Sequence, residues 1–443
     1  MGFRCYLLYV FMVFVRPIEQ FAPDLMAWRP ILILWCVTFL ASLAESARAG
    51  KPPVPRSFGL LAGLSLAVAL SQLFNGGFGG LSWAVGDFST PAMLFVLTAL
   101  NVNTFARCQT VVRLFILCLT LLCVETLAAY HLGFRVEELV IPQMASEDVE
   151  LPVDIAVIPA QDTSGAYVWR VRSVGFLRDP NDFAQTLVMM VPWLLMQVSA
   201  TASRWRVLMS IGPFIGLFGY VLYLTHSRGG LVGLGAMGLF ALRKRIGNVK
   251  TGLLAALALA AYQLKGSMGG RAMSTKEQSA NERIEAWSEG LIMLKEHPLF
   301  GVGYGNFIEH HIRTAHNSYV LCFAELGLVG YFLWMGMIVI AFKAVTRVIE
   351  STQVSPELKR TAEFFRYSMI GFMVCAWFLS RAYIPTLFIM LAMAISLWAC
   401  ACKEVSIKQD AGLHTPILWR KTTLWAMGLT MAGVSMLVRI STM

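Results

Sequence analysis

Long apolar runs, each closed by a short polar or basic stretch, repeat along almost the whole chain. They lie at 3–17, 29–45, 57–74, 84–103, 109–130, 182–200, 206–225, 229–242, 249–264, 317–342, 365–380, 384–402 and 422–440. Most approach the roughly 20 residues that an α-helix needs to cross a bilayer, so the pattern predicts about 12–13 transmembrane helices. The expected fold is an all-α polytopic membrane protein, a single integral membrane domain over residues 1–443.

Two interruptions are too long for turns, and long ordered loops are where binding and catalysis concentrate. Residues 131–181 are acidic and β-branched ("VEELVIPQMASEDVELPVDIAVIPAQD") before turning basic at "WRVRSVGFLRDPND". Residues 265–316 include "NERIEAWSEGLIMLKEHPLFGVGYGNF". There Ile284, Trp287, Leu291 and Leu294 recur at helical spacing while Glu282, Arg283, Glu285, Glu289 and Lys295 fall elsewhere, which predicts an amphipathic helix ended by Pro298. Such a helix either anchors in the membrane interface or holds Arg283 at a fixed height above it. The "GVGYG" that follows is a glycine-rich turn without the strand, Lys and Ser/Thr of a nucleotide P-loop.

Composition agrees with the pattern: 57% of residues are hydrophobic and 14% charged, with a mean hydropathy of +0.64, outside the range of soluble domains. The net charge of +10 is a topology signal and implies no nucleic-acid partner. Its carriers cluster at alternate loops: Arg48/Lys51/Arg56, Arg107/Arg113, Arg204/Arg206, Arg243/Lys244/Arg245/Lys250, Lys343/Arg347/Lys359/Arg360/Arg366 and Lys403/Lys408/Arg420/Lys421. By the positive-inside rule these loops are cytoplasmic, the N-terminus is cytoplasmic, and both long loops face outward. The first apolar stretch lacks an A-x-A-like cleavage site and is expected to be a retained helix. The nine cysteines avoid both long loops, so a disulfide framework is not expected.

Ionisable residues at the mouths of spans are costly and often functional. Arg228 in "THSRGG" falls on the outer side, against the orientation rule, as an interfacial anchor or an anion ligand. Arg172 and Arg178 precede the next span in "RSVGFLRDPNDFA", where Asn181 or Asp182 is expected to cap a helix, or Asp179 and Asp182 to bind a divalent cation. Arg283 lies one turn before Trp287. Planar guanidiniums suit phosphate, and three on one side of a membrane fit an anionic lipid head group. His316, followed by Asn317 in "AHN", is either a helix-start histidine or a general base, since neutral imidazole accepts protons near pH 7. His310, His311 and His316 match no familiar metal spacing, and no metal or cofactor is expected.

Together, "RSVGFLRDPNDFA", "THSRGG", "NERIEAWSEGLIMLKEHPLFGVGYGNF" and "AHNSYVLCFAELGLVGYFLW" resemble the O-antigen ligase and polymerase family of bacterial envelope glycosyltransferases. The resemblance covers roughly residues 170–340 in the same order and spacing; the first 160 residues carry no motif of that family. It implies a type C glycosyltransferase-like fold in the bacterial inner membrane, with a periplasmic active site. The implied donor is a polyprenyl diphosphate-linked glycan, such as one on undecaprenyl diphosphate. It is moved en bloc, with inversion and without metal, to a hydroxyl of lipid A core oligosaccharide in lipopolysaccharide biosynthesis. Arg228, Arg283 and His316 match the family's arginines and histidine, Arg172 matches a further basic position, and Asn317 is a supporting residue. A polymerase and a protein O-oligosaccharyltransferase share these motifs. From another class, a lipid-linked sugar transporter would need ionisable groups near the bilayer midplane, where only Asp87 and Glu125 approach.

Overall fold

The computed structural model describes residues 1–48, 57–75, 77–144, 157–198, 203–254 and 273–442. Its principal helices are α1 (Gly2–Val15), α2 (Pro30–Arg48), α3 (Ser57–Asn75), α4 (Gly77–Asn101), α5 (Phe105–Leu132), α6 (Pro180–Met196) and α7 (Arg204–Leu224). They continue with α8 (Arg228–Ile246), α9 (Met273–Glu296), α10 (Ser318–Glu350), α11 (Pro356–Ala376), α12 (Pro385–Glu404) and α13 (Arg420–Thr442). Strands β1 (Val140–Met144) and β2 (Tyr167–Val171) pair antiparallel, Val140 opposite Val171.

Among the described residues eight helices are long and apolar enough to cross a membrane: α2, α3, α4, α5, α7, α10, α12 and α13. The protein is an all-α, multi-pass membrane protein, and each of these helices coincides with an apolar run of the sequence. The count is lower than the expected one because α1 and α6, at 14 and 17 residues, fall short of the roughly 20 residues of a regular crossing. The remaining two, α8 and α11, are diluted by polar ends, "RKR" and "ELKRTAEFFR". Most of the run at 249–264, the start of the second long loop, residues 145–156 of the first, and Lys51 and Arg56 lie outside the described residues.

The described chain forms two compact units. One comprises Met1–Leu119, Glu289–Arg366 and Ser380–Met436. Its core helix is α12: 83% of its apolar window is buried, against 11% for α2 and 17% for α13, which leave most of their surface for lipid. Around it pack α4 and α10, with α3 against both of those. The buried Tyr6 hydroxyl finds its partner across helices, meeting Thr98 Oγ1 at 2.8 Å.

A break in α10 organises the loop before it. The helix has 33 residues, or about 50 Å of rise, and Gly327 interrupts it at φ 62°, ψ −166°. The orphaned backbone groups are taken up by the segment 298–303. Val302 N–H donates to Ala324 O at 2.9 Å and Gly303 N–H to Glu325 O at 3.1 Å. In return Leu328 N–H donates to Pro298 O at 2.8 Å and Val329 N–H to Leu299 O at 3.3 Å. Only glycine fits the crossing: a Cβ on Gly327 would lie 2.4 Å from the Leu299 carbonyl carbon, and one on Gly301 2.4 Å from Ala324 O.

The other unit comprises Thr120–Ser288, Tyr367–Leu379 and Leu437–Met443. In it α6 packs on α7 and α8, and α7 on β2. The cap of α6 is Asp179, whose Oδ1 accepts the Asn181 N–H at 2.7 Å. That differs from the expected cap at Asn181 or Asp182, because Pro180 starts the helix two to three residues earlier, in the position whose missing N–H costs nothing. Asp182 is buried in the first turn instead.

Candidate functional site

Arg228 is the first residue of α8. Ser227 caps the helix, its Oγ accepting the Gly230 N–H at 3.2 Å, and Thr225 Oγ1 accepts the Ser227 N–H at 3.2 Å. Between them His226 adopts a left-handed backbone at φ 50°. The glycines of "SRGG" seat the turn: a Cβ on Gly229 would meet Phe378 Cβ at 3.0 Å and one on Gly230 would meet Ala184 Cβ at 2.9 Å. The Arg228 side chain is exposed and stands at the positive end of the helix dipole, where cations are unfavourable and anions welcome.

Strand β2 carries Arg170, and Arg172 follows one residue past its end on the same side of the alternation. Arg172, just past β2, donates from Nε to Glu138 O at 2.7 Å and from a terminal nitrogen to Glu137 O at 3.4 Å, so its guanidinium ties the loop to carbonyls. Arg170 reaches outward. Its Nε donates to Thr225 O at 3.0 Å, in the turn before Arg228, and a terminal nitrogen donates to Asn181 Oδ1 at 3.2 Å. The expected helix around Arg283 is present as part of α9, with Arg283 half-buried. Of its expected stripe Trp287 and Leu294 are buried, joined by Ala286 and Met293, while Ile284 and Leu291 are half-buried; Gly290 lies at the centre of that face, where a Cβ would come within 2.5 Å of Val320. Trp287 packs edge-on against Trp377, ring centroids 5.9 Å apart. Arg172, Arg228 and Arg283 thus belong to one unit, where the turn of Arg228 packs on Phe378 and the helix of Arg283 on the adjacent Trp377.

His316 and Asn317 belong to the other unit. Asn317 is wholly buried and caps α10, its Oδ1 accepting the N–H groups of Tyr319 at 2.9 Å and Val320 at 3.2 Å. This is the cap that a helix-start reading assigns to His316; the histidine sits one residue earlier. His316 is held left-handed at φ 46°, with its N–H donating to Ser380 Oγ at 2.5 Å. Ser318 Oγ in turn accepts the Arg381 N–H at 3.0 Å. A non-glycine residue in that region is uncommon and is found where the surroundings over-determine it, often at functional sites.

The glycine-rich turn is tied by hydrogen bonds to two other helices. Asn75 Nδ2 donates to Gly301 O at 3.0 Å, Tyr304 N–H to Ser71 Oγ at 3.1 Å, and Tyr304 hydroxyl to Asp87 Oδ2 at 2.7 Å. Burial, followed by the nearby Asp87 charge, holds the Tyr304 phenol well above its ordinary range. Tyr304 and Tyr383 rings pack with centroids 4.7 Å apart. Asp87 is thereby accounted for as a partner of the loop. Glu125 forms an ion pair with Arg135. Sequence reasoning passed over Arg170, although the alternation of "YVWRVR" puts it on the face of Arg172; Ser380 carries no sequence signal. Among the described residues no cluster of His, Cys, Asp or Glu is arranged to hold a metal ion.

Residues 213–335 match the sequence model of the family described as O-antigen ligase. Arg228, Arg283, His316 and Asn317 all fall inside that segment, and Arg172 falls before it. No curated protein matches the chain.

Proposed function

We propose that this membrane protein transfers a glycan en bloc from a polyprenyl diphosphate carrier to a hydroxyl of lipid A core oligosaccharide. The observation that carries the proposal is the O-antigen ligase match over 213–335, which encloses the histidine and two of the three arginines. The roles follow from chemistry. Arg228 and Arg283, with Arg172 as a third guanidinium, bind the diphosphate and stabilise the charge that grows on it as the glycosidic C–O bond breaks. His316 takes the proton of the acceptor hydroxyl while that oxygen attacks the anomeric carbon from the opposite face, giving inversion. The diphosphate departs with the bonding electron pair, so the donor supplies the driving force.

Three features support these assignments. Arg228 stands exposed at the amino end of a helix, an electrostatically costly place for a cation that lacks an anionic ligand. Arg283 is carried on a helix anchored by Trp287. His316 is held in a strained backbone by Ser380 while Asn317, not the histidine, performs the capping. The arginines and the histidine are assigned separately, and the family resemblance is what joins them in one reaction. The active site is proposed to face the periplasm from the inner membrane.

The test is reconstitution. Purified protein, lipid-linked glycan and lipid A core acceptor, in the presence of chelator, are expected to yield the conjugate and free polyprenyl diphosphate, read by mass spectrometry. Arg228→Ala and Arg283→Ala are each expected to weaken donor use by about 10-fold or more, the scale of a lost charge-assisted hydrogen bond. A glycan found on a second lipid-linked glycan would make the protein a polymerase; undiminished donor use by both variants would remove the diphosphate role of the arginines.

A further inference from the structure

We propose that Arg170 is a positioning residue for Arg228, fixing the turn that presents it to the diphosphate; this rests on the donor reading above. The side chain leaves its own hairpin and joins two other segments, through Thr225 O at 3.0 Å and Asn181 Oδ1 at 3.2 Å. Thr225 is the C-cap of α7, one of the terminal carbonyls a helix leaves without an internal partner. A guanidinium there satisfies the carbonyl and complements the negative end of that helix. Asn181 lies in the first turn of α6, whose Ala184 in turn limits Gly230. The four residues Thr225 to Arg228 are therefore gripped at both ends, by Arg170 behind and by the close packing of Gly229 and Gly230 ahead.

The grip matters because the turn is strained. His226 sits at φ 50°, a conformation that costs a non-glycine residue free energy and persists only when its neighbours enforce it. Releasing Thr225 lets that residue relax, and Arg228, one residue after the Ser227 cap, moves with it. Arg170 also places a positive charge against the turn that precedes Arg228.

A double-mutant cycle on the full-length protein tests this, reading binding of a sugar-free polyprenyl diphosphate in detergent micelles. Arg228→Ala is expected to weaken binding by about 10-fold or more, and Arg170→Gln by about 3- to 10-fold. Because Arg170 acts through Arg228, adding Arg170→Gln to Arg228→Ala is expected to cause less than about twofold further loss. Arg170→Lys, which keeps the charge and one donor but not the fork, is expected to fall between wild type and Arg170→Gln. If Arg170→Gln does not yield folded protein, Arg170→Lys in both backgrounds completes the same cycle. Wild-type binding by the Arg170 variants, or an undiminished loss in the Arg228→Ala background, would overturn the proposal while leaving the donor reading intact. Wild-type binding by Arg228→Ala would instead overturn the donor reading and this proposal with it.

Discussion

His226 lies in the turn between α7 and α8, with the Arg170 guanidinium approaching from the hairpin, Arg228 two residues on, and the Tyr223 ring 5.7 Å away. Partial dehydration of its ring, followed by the like charge of Arg170, lowers its pKa below 6.5. A folded state that holds a proton less readily than the unfolded chain gains stability as pH rises. The contribution of His226 is therefore complete above about pH 6.5 and is lost as pH falls from there through the lowered folded value. His226→Asn, chosen because asparagine tolerates a left-handed backbone, is expected to flatten the acid-side decline of thermal stability measured in detergent. An unchanged pH profile in that variant would show that His226 does not titrate in this way. The same turn shows what residue-level reading can and cannot find. Arg228 is conspicuous because its charge opposes the orientation rule. Arg170 is not, because its partners are a carbonyl and an amide brought near only by folding.

At the scale of the element, the break in α10 is the feature with the largest consequence. Gly327 must adopt a left-handed conformation beside the Leu299 carbonyl, and the segment 298–303 exchanges hydrogen bonds with the opened helix. Gly327→Ala is expected to destabilise the protein by at least about 2 kcal/mol, from backbone strain and from the clash. Gly428→Ala in α13, where a Cβ meets nothing within 4 Å, is expected to cost nothing; thermal unfolding of both variants in detergent checks the contrast. Equal melting temperatures would mean that the break is not rigid. The sequence shows long helices well, since hydropathy alone marks α2–α5, α7, α10, α12 and α13. It hides the break, because "ELGLVG" continues the apolar run without a proline or a polar stretch. It also hides the β1–β2 pair, whose first strand follows directly on a charged helical turn. Apolar periodicity marks Trp287 and Leu294 on the buried face of α9 but overlooks glycine, and a Cβ on Gly290 would lie 2.5 Å from Val320 and 3.4 Å from Phe307.

For the whole molecule, the polytopic all-α architecture follows from composition, and the match over 213–335 supports an O-antigen ligase- or polymerase-type function in general. The candidate site was legible as residue types: guanidiniums in Arg172, Arg228 and Arg283, and an imidazole in His316. Their supports were not, since Ser380, Asn181 and the carbonyl of Thr225 act through positions that only the folded chain defines. The central claim is that His316 is the base of a glycan transfer, and single-turnover conjugation by His316→Ala with pre-bound lipid-linked donor measures it most directly. The account predicts a loss of about 10²- to 10⁴-fold in the rate of conjugate formation, with polyprenyl diphosphate binding unchanged from wild type. Conjugate formation at the wild-type rate would contradict it.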